Sequence, residues 1–259
     1  MHFRMVMWMS GLNQRFAKPS VHESGPVSSN LTVTTNYGRS YKPSRLNPIL
    51  YAKKLIERTI MNTKFLNMVK KHMLNQQYTF LNSGTYGAAF KKANTVVKVI
   101  LKNDAEGIGT CKVQDEYVKY CFSKNNIHLP KFEYPKDDVV GGKLKVRVYP
   151  MELLKEVDDE TAAMLDYVSN SVVNGSPLKT EWSYLTKEYS PNEFSTKNRI
   201  LITDFNKFEL KFESLHAAME DVKRSGTQKG YDIDFIGNNY VNILQRTNGT
   251  LVILDPWAY

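Results

Sequence analysis

The sequence predicts an α+β chain: a small antiparallel sheet with one packed helix, then a mainly helical region that closes on a short hairpin. Three observations carry this. Apolar residues recur at helical spacing as far as Leu74, then give way to β-branched, glycine-punctuated runs between Tyr78 and Leu154. Past Leu154 the chain turns to helix formers and amphipathic spacing as far as Lys223. After Asn248-Gly249, the apolar run Leu251–Leu254 stops at Asp255-Pro256, as the second arm of a hairpin would.

Composition sets the outer bounds. The 259 residues are 42% hydrophobic and 12% aromatic, enough for a core, so wholesale disorder is excluded. No apolar run approaches the ~18 residues of a membrane span. Met1–Met9 is apolar but short, contains Arg4 and lacks a small-residue cleavage site, so it does not read as a secretory signal. Two cysteines, Cys111 and Cys121, make neither a disulfide scaffold nor a zinc spacing, and suit a reducing cytoplasm. The net charge of +9 is uneven: residues 1–50 carry six basic side chains against the single acid Glu23. Such a leader suits an acidic partner or nucleic acid, and equally a plain solubilising role.

The elements follow in order. Residues 10–47 are rich in Ser, Asn, Gly and Pro, and read as part of a flexible basic leader over 1–46. Asn47-Pro48 offers a cap and a first-turn proline. Leu50, Leu55, Ile56, Ile60, Phe65, Met68, Val69 and Met73 then place one or two amphipathic helices in a segment over 47–76. Tyr78–Asn82 reads as a strand, Ser83–Gly87 as a glycine turn, and Ala88–Lys92 and Thr95–Leu101 as the next two strands. A helix is expected around Lys112–Ser123, then strands at about Lys143–Val148 and Met151–Leu154, joined by Tyr149-Pro150. Asp158–Asn170 starts with acids, which favour a helix N-terminus. Residues 171–203 are polar and read as irregular, whereas Phe208, Phe212, Leu215, Met219 and Val222 line one face of a helix over Phe205–Lys223. A polar acidic loop, a strand at Val241–Gln245, the Asn248-Gly249 turn and Leu251–Leu254 come last.

Several residues in this order carry chemistry. A glycine turn such as Gly84-Thr85-Tyr86-Gly87 lets backbone N–H groups approach phosphate oxygens. Lys98 interrupts an apolar strand, where a lysine needs a carboxylate partner or a route to solvent. Glu116 on the following helix is the expected partner, with Asp115 second. Asn242 and Asp255 begin and end a hairpin, and with an upstream Asp could hold Mg²⁺ through oxygen and orient a hydroxyl. The bland reading is an ordinary polar hairpin, since Asn and Asp are common near turns. Neither GxxxxGK[ST] nor HExxH occurs, and the five histidines are scattered.

The ordered set of glycine loop, Val96-Val97-Lys98, helix Glu116, Tyr149–Leu154 (YPMELL), acidic loop, Asn242-Ile243-Leu244 and strand-ending Asp255 resembles the protein-kinase-like fold. It is most similar to the early serine/threonine protein kinases of short-tailed (T-odd, autographivirus-type) bacteriophages. The resemblance spans roughly residues 78–257, with 171–203 outside it, and implies two lobes, a sheet lobe over 77–154 and a reduced, mainly helical lobe over 155–259. It implies ATP and Mg²⁺, with Gly84, Thr85, Tyr86, Gly87 and Lys98 at the phosphates. Ala89 and Val96 would pack on adenine, and the Met151-Glu152 backbone would hydrogen-bond it. Glu116 would orient Lys98, and Asn242 and Asp255 would bind metal. The base would be Asp232, whose Tyr-Asp-Ile context fits best, or Asp234, which with Asn239 as ligand keeps the usual spacing of five. The first loop glycine is Asn82, and the sequence ends two residues after Trp257 without an Ala-Pro-Glu motif. The implied function is phosphorylation of host proteins in the cytoplasm of an infected bacterium, with no membrane partner. The alternatives are a catalytically inactive kinase-like protein that binds and inhibits a host protein, and a small-molecule phosphotransferase.

Overall fold

A computed structural model describes residues 63–83, 87–102, 105–236 and 242–258, and those from Phe65 onward belong to one compact unit. The expected leader over 1–46, the start at Asn47-Pro48 and the turn residues Gly84, Thr85 and Tyr86 lie outside the described residues, as does Asn239. Helix α1 (63–75) comes first. Strands β1 (Thr79–Ser83), β2 (Gly87–Lys92) and β3 (Thr95–Leu101) follow, then helix α2 (Ala105–Ser123) and strands β4 (Lys136–Val140) and β5 (Leu144–Glu152). All five strands form one antiparallel sheet in the order β1-β2-β3-β5-β4. Helices α3 (Asp159–Asn174), α4 (Leu178–Glu188), α5 (Thr196–Thr203) and α6 (Phe205–Gln228) come next. Two short antiparallel ladders finish the description: β6 (Asp232–Ile233) with β9 (Trp257–Ala258), and β7 (Ile243–Gln245) with β8 (Leu251–Ile253). The fold class is therefore α+β, as the sequence predicts.

From Val96 to Leu101, strand β3 is apolar except at Lys98, because both its faces are covered. Val97, Val99 and Leu101 pack with Phe90 of β2 and with Phe65, Val69 and Met73 of α1. Val96 and Ile100 face the other side, and Lys98 lies between them in the same alternation. Gly87 has a specific packing reason: a Cβ there would come within 2.9 Å of the Val99 carbonyl oxygen. Helix α2 works on two sides. Cys111 and Val118 join the sheet, while Val113, Tyr117, Tyr120 and Cys121 enter the main core with α3 to α6. Five predicted α6 residues, Phe208, Phe212, Leu215, Met219 and Val222, are buried together there.

Two expectations are corrected. The strands predicted on either side of Tyr149-Pro150 are one strand, and its edge partner β4 was not foreseen. Pro150 pairs with Val97, but its carbonyl accepts from the Glu133 N–H, so the side lacking a donor faces away from β3 and no ladder bond to β3 is lost. The stretch 171–203 is helical rather than irregular: it holds the end of α3, then α4, a 3₁₀ turn (Pro191–Glu193) and α5. These helices bury few residues (Glu181 and Leu185 in α4, Asn198 and Ile202 in α5), which is why their apolar period is faint. No helix among the described residues is long and apolar enough to cross a membrane.

Candidate functional site

The lysine of β3 meets the aspartate that follows β8. Lys98 Nζ lies 2.7 Å from Asp255 Oδ2, across 157 residues of sequence, with the two side chains 12% and 11% exposed. Lys98 Nζ also donates to Gln114 Oε1 of α2 at 2.8 Å. Gln114 is buried. Its position follows from helix geometry: Cys111 and Val118, three residues before and four after, pack on the sheet, so Gln114 shares their face.

Asp255 is held in place by its neighbours. The β7–β8 ladder pairs Ile243 with Ile253, and the Leu254 N–H donates to the Asn242 carbonyl at 2.8 Å. The Ile253 N–H donates to the His128 carbonyl, and its own carbonyl accepts from the Tyr117 hydroxyl at 2.6 Å. On the other side, the Asp234 N–H donates to the Pro256 carbonyl at 2.9 Å. Buried Asn242 donates its Nδ2 to the Asp234 carbonyl at 2.8 Å, which leaves its Oδ1 as the acceptor end. Lys98, Asp255, Asn242 and Asp234 are thus joined through one run of hydrogen bonds and two short backbone steps.

Beside this polar group lies an apolar cluster that joins the sheet to the hairpin. Ala89 and Val96 pack with Met151, Leu244 and Leu254, and Leu81 and Leu153 border them. Lys98 lies directly opposite Ala89 in the cross-strand register.

Some expected site residues are elsewhere. Glu116 does not face Lys98: it pairs with Lys229 at 2.7 Å and Lys119 at 3.0 Å, which hold its carboxyl below the usual carboxylate range. It lies two residues from Gln114, which on a helix is the far side. Asp115 bonds Arg147 at 3.2 Å instead. Glu152 is committed as well. Its N–H donates to the Lys131 carbonyl and its carboxylate takes Arg246 and the Lys131 N–H, so it offers no donor to a ring. The Leu153 N–H donates to the Asn94 carbonyl, and the first N–H after these without an acceptor among the described residues is that of Leu154. Asp232 pairs with Ala258 in the β6–β9 ladder with its side chain exposed; Asp234, also exposed, is the acid tied to Asn242.

Sequence reasoning missed Gln114, Leu244, Leu254 and Arg246. The period of Cys111, Gln114 and Val118 was a readable signal for the first. Cys111 and Cys121 are free and buried, and burial pushes their thiols up to about 11 and about 12, so neither is a ready nucleophile. Among the described residues no three His, Cys, Asp or Glu side chains gather as a metal cluster. Compared with known proteins, the chain matches no family model and no curated protein.

Proposed function

We propose that the protein is an ATP-dependent serine/threonine protein kinase with a kinase-like two-lobed fold, divided at about residue 154. The observation that carries this reading is the 2.7 Å contact between Lys98 of the sheet and Asp255 at the end of the terminal hairpin. A lysine of the sheet and an acid of the hairpin that meet beside an apolar cluster suit a phosphate chain with its cation, attached to a flat ring. Lys98 would hold the α- and β-phosphates, and Ala89, Val96, Met151, Leu244 and Leu254 would pack on adenine. Asp234 would orient the acceptor hydroxyl, because Asn242 and Pro256 hold its backbone beside Asp255.

The donor set fits Mg²⁺. One carboxylate, Asp255, and the Asn242 amide oxygen are too few for a closed protein cage but suit a cation that keeps waters and phosphate oxygens. When bound, Mg²⁺ would neutralise phosphate charge. The protein's own work is positioning: Lys98 fixes the phosphates and Asp234 holds the hydroxyl proton. By resemblance the acceptors are Ser and Thr hydroxyls of host proteins in an infected bacterium.

The test is to incubate the full chain with γ-labelled ATP, Mg²⁺ and bacterial lysate, with a Lys98→Met chain alongside. Label on Ser or Thr that depends on Lys98 is expected. Equal labelling by the two chains, or none with no nucleotide bound, overturns the reading. Nucleotide binding without transfer points to the kinase-like binder of a host protein instead.

A further inference from the structure

We propose that Gln114 is the positioning residue for Lys98, and that its neutrality makes metal and nucleotide bind as a coupled pair. This rests on the nucleotide-site reading above. Lys98 has two acceptors, the Gln114 amide oxygen at 2.8 Å and the Asp255 carboxylate at 2.7 Å, and only the second is charged. The acids next to Gln114 are engaged elsewhere, Asp115 by Arg147 and Glu116 by Lys119 and Lys229. Asp255 is therefore the one carboxylate that answers the lysine charge among the described residues, and it is also the carboxylate available to a cation.

This sharing has consequences. A cation arriving alone takes Asp255 and leaves Lys98 against a neutral amide, two positive charges side by side in a shielded site. A nucleotide arriving alone draws Lys98 away and leaves Asp255 facing phosphate, two negative charges together. When both arrive, Lys98 moves to phosphate, Asp255 moves to the cation, and every charge has a partner. Gln114 keeps one hydrogen bond on the lysine throughout, which preserves its direction while its ionic partner changes. Each ligand then raises the affinity of the other, on the usual scale of about 5- to 150-fold.

The experiment uses the full chain, Mn²⁺ as the cation probe and a non-hydrolysable ATP analogue, with binding followed by calorimetry and by Mn²⁺ electron paramagnetic resonance. In the wild type, Mn²⁺ alone should bind weakly and the analogue should tighten it. Gln114→Glu gives Lys98 a carboxylate of its own and frees Asp255, so Mn²⁺ without nucleotide should bind about tenfold tighter and the coupling should shrink. Transfer should be retained by this variant, whereas Gln114→Leu should lower kcat about tenfold through a loosened Lys98. If Gln114→Leu does not fold, the Mn²⁺ measurement on Gln114→Glu decides alone. A wild type that binds nucleotide, with Gln114→Glu leaving Mn²⁺ affinity unchanged or weaker, overturns this inference and leaves the nucleotide site standing. A wild type that binds no nucleotide at any Mn²⁺ concentration removes the site itself, and this inference with it.

Discussion

Two ion pairs of similar burial stand at opposite ends of the apolar cluster, and they are built differently. Arg246 and Glu152 are 16% and 19% exposed, and four of the five Arg246 N–H groups are bonded. Arg246 reaches both Glu152 oxygens, at 2.7 and 2.8 Å, and also the carbonyls of Leu129 and Ile127. Glu152 takes the Lys131 N–H besides. That fork ties β5, the hairpin and the 127–131 segment into one knot. Lys98 and Asp255 are slightly more buried yet share a single contact, and the second Asp255 oxygen accepts nothing among the described residues. A pair whose bonds are nearly all used holds a structure together. A pair with bonds to spare can exchange partners, and that makes the Lys98 end the place to look for chemistry.

Substitution should separate the two pairs. Lys98→Met should abolish phosphotransfer, a loss of at least about 10³-fold; it removes one ionic contact and one amide hydrogen bond, against four bonds at Arg246, so its cost by urea denaturation should be the smaller of the two. Arg246→Met should do the reverse. It strands a half-buried carboxylate and two carbonyls, at about 2–3 kcal/mol. If Lys98→Met unfolds the chain, or Arg246→Met leaves the urea midpoint unchanged, the contrast collapses.

A second comparison lies within the site. Asp234→Asn should lower kcat about 10²- to 10⁴-fold with nucleotide affinity intact, and Asp232→Asn should leave kcat within about threefold. A kcat loss confined to Asp232→Asn would return the base to the residue that the Tyr-Asp-Ile context favours.

Smaller effects sharpen how each end is supported. Gly226 of α6 lies against the β6–β9 ladder just past Asp255, and a Cβ there would meet Trp257 Nε1 at 2.5 Å and Ile233 Cδ1 at 2.7 Å. Gly226→Ala should therefore destabilise by about 1–3 kcal/mol, although alanine is the better helix former. A rise in thermal midpoint would show that β6 and β9 yield easily.

His128 belongs to the Arg246 knot. Its Nδ1 lies 2.8 Å from the Leu251 carbonyl and its Nε2 2.9 Å from Ser214 Oγ. Burial holds its pKa below the ordinary 6.5, against the pull of the Leu251 carbonyl and with help from the Arg246 charge. Protonation thus favours the unfolded chain, so stability is full above pH 6.5 and is lost as pH falls from there toward the folded-state value. The loss is at most about 1.4 kcal/mol per pH unit, and His128→Asn should flatten it between pH 6.5 and 5. The lowered carboxyls of Glu116 and Asp137 act only below their ordinary values of 4.5 and 3.8. A wild-type slope that persists in His128→Asn would place the titrating group elsewhere.

Much of this was legible in the residues. The Thr95–Leu101 strand, the α6 face and the Asn248-Gly249 hairpin follow from period and turn chemistry, which act over a few neighbours. Lys98 and Asp255 were legible as oddities, a lysine inside an apolar strand and an acid closing one. The helices within 171–203 were not, because so few of their residues are buried.

By itself, then, the sequence determined which residues had to find partners, since a charge in an apolar run is costly until it is paired. Which partners they found was left to the tertiary structure. Gln114 rather than Glu116 meets Lys98, and the backbone carbonyl of Asp234 rather than that of Asp232 meets Asn242. The rotation of α2 on the sheet and the pairing of β6 with β9 are set by long-range packing of Cys111, Val118 and Trp257, where a shift of two residues turns a side chain to the far side of a helix.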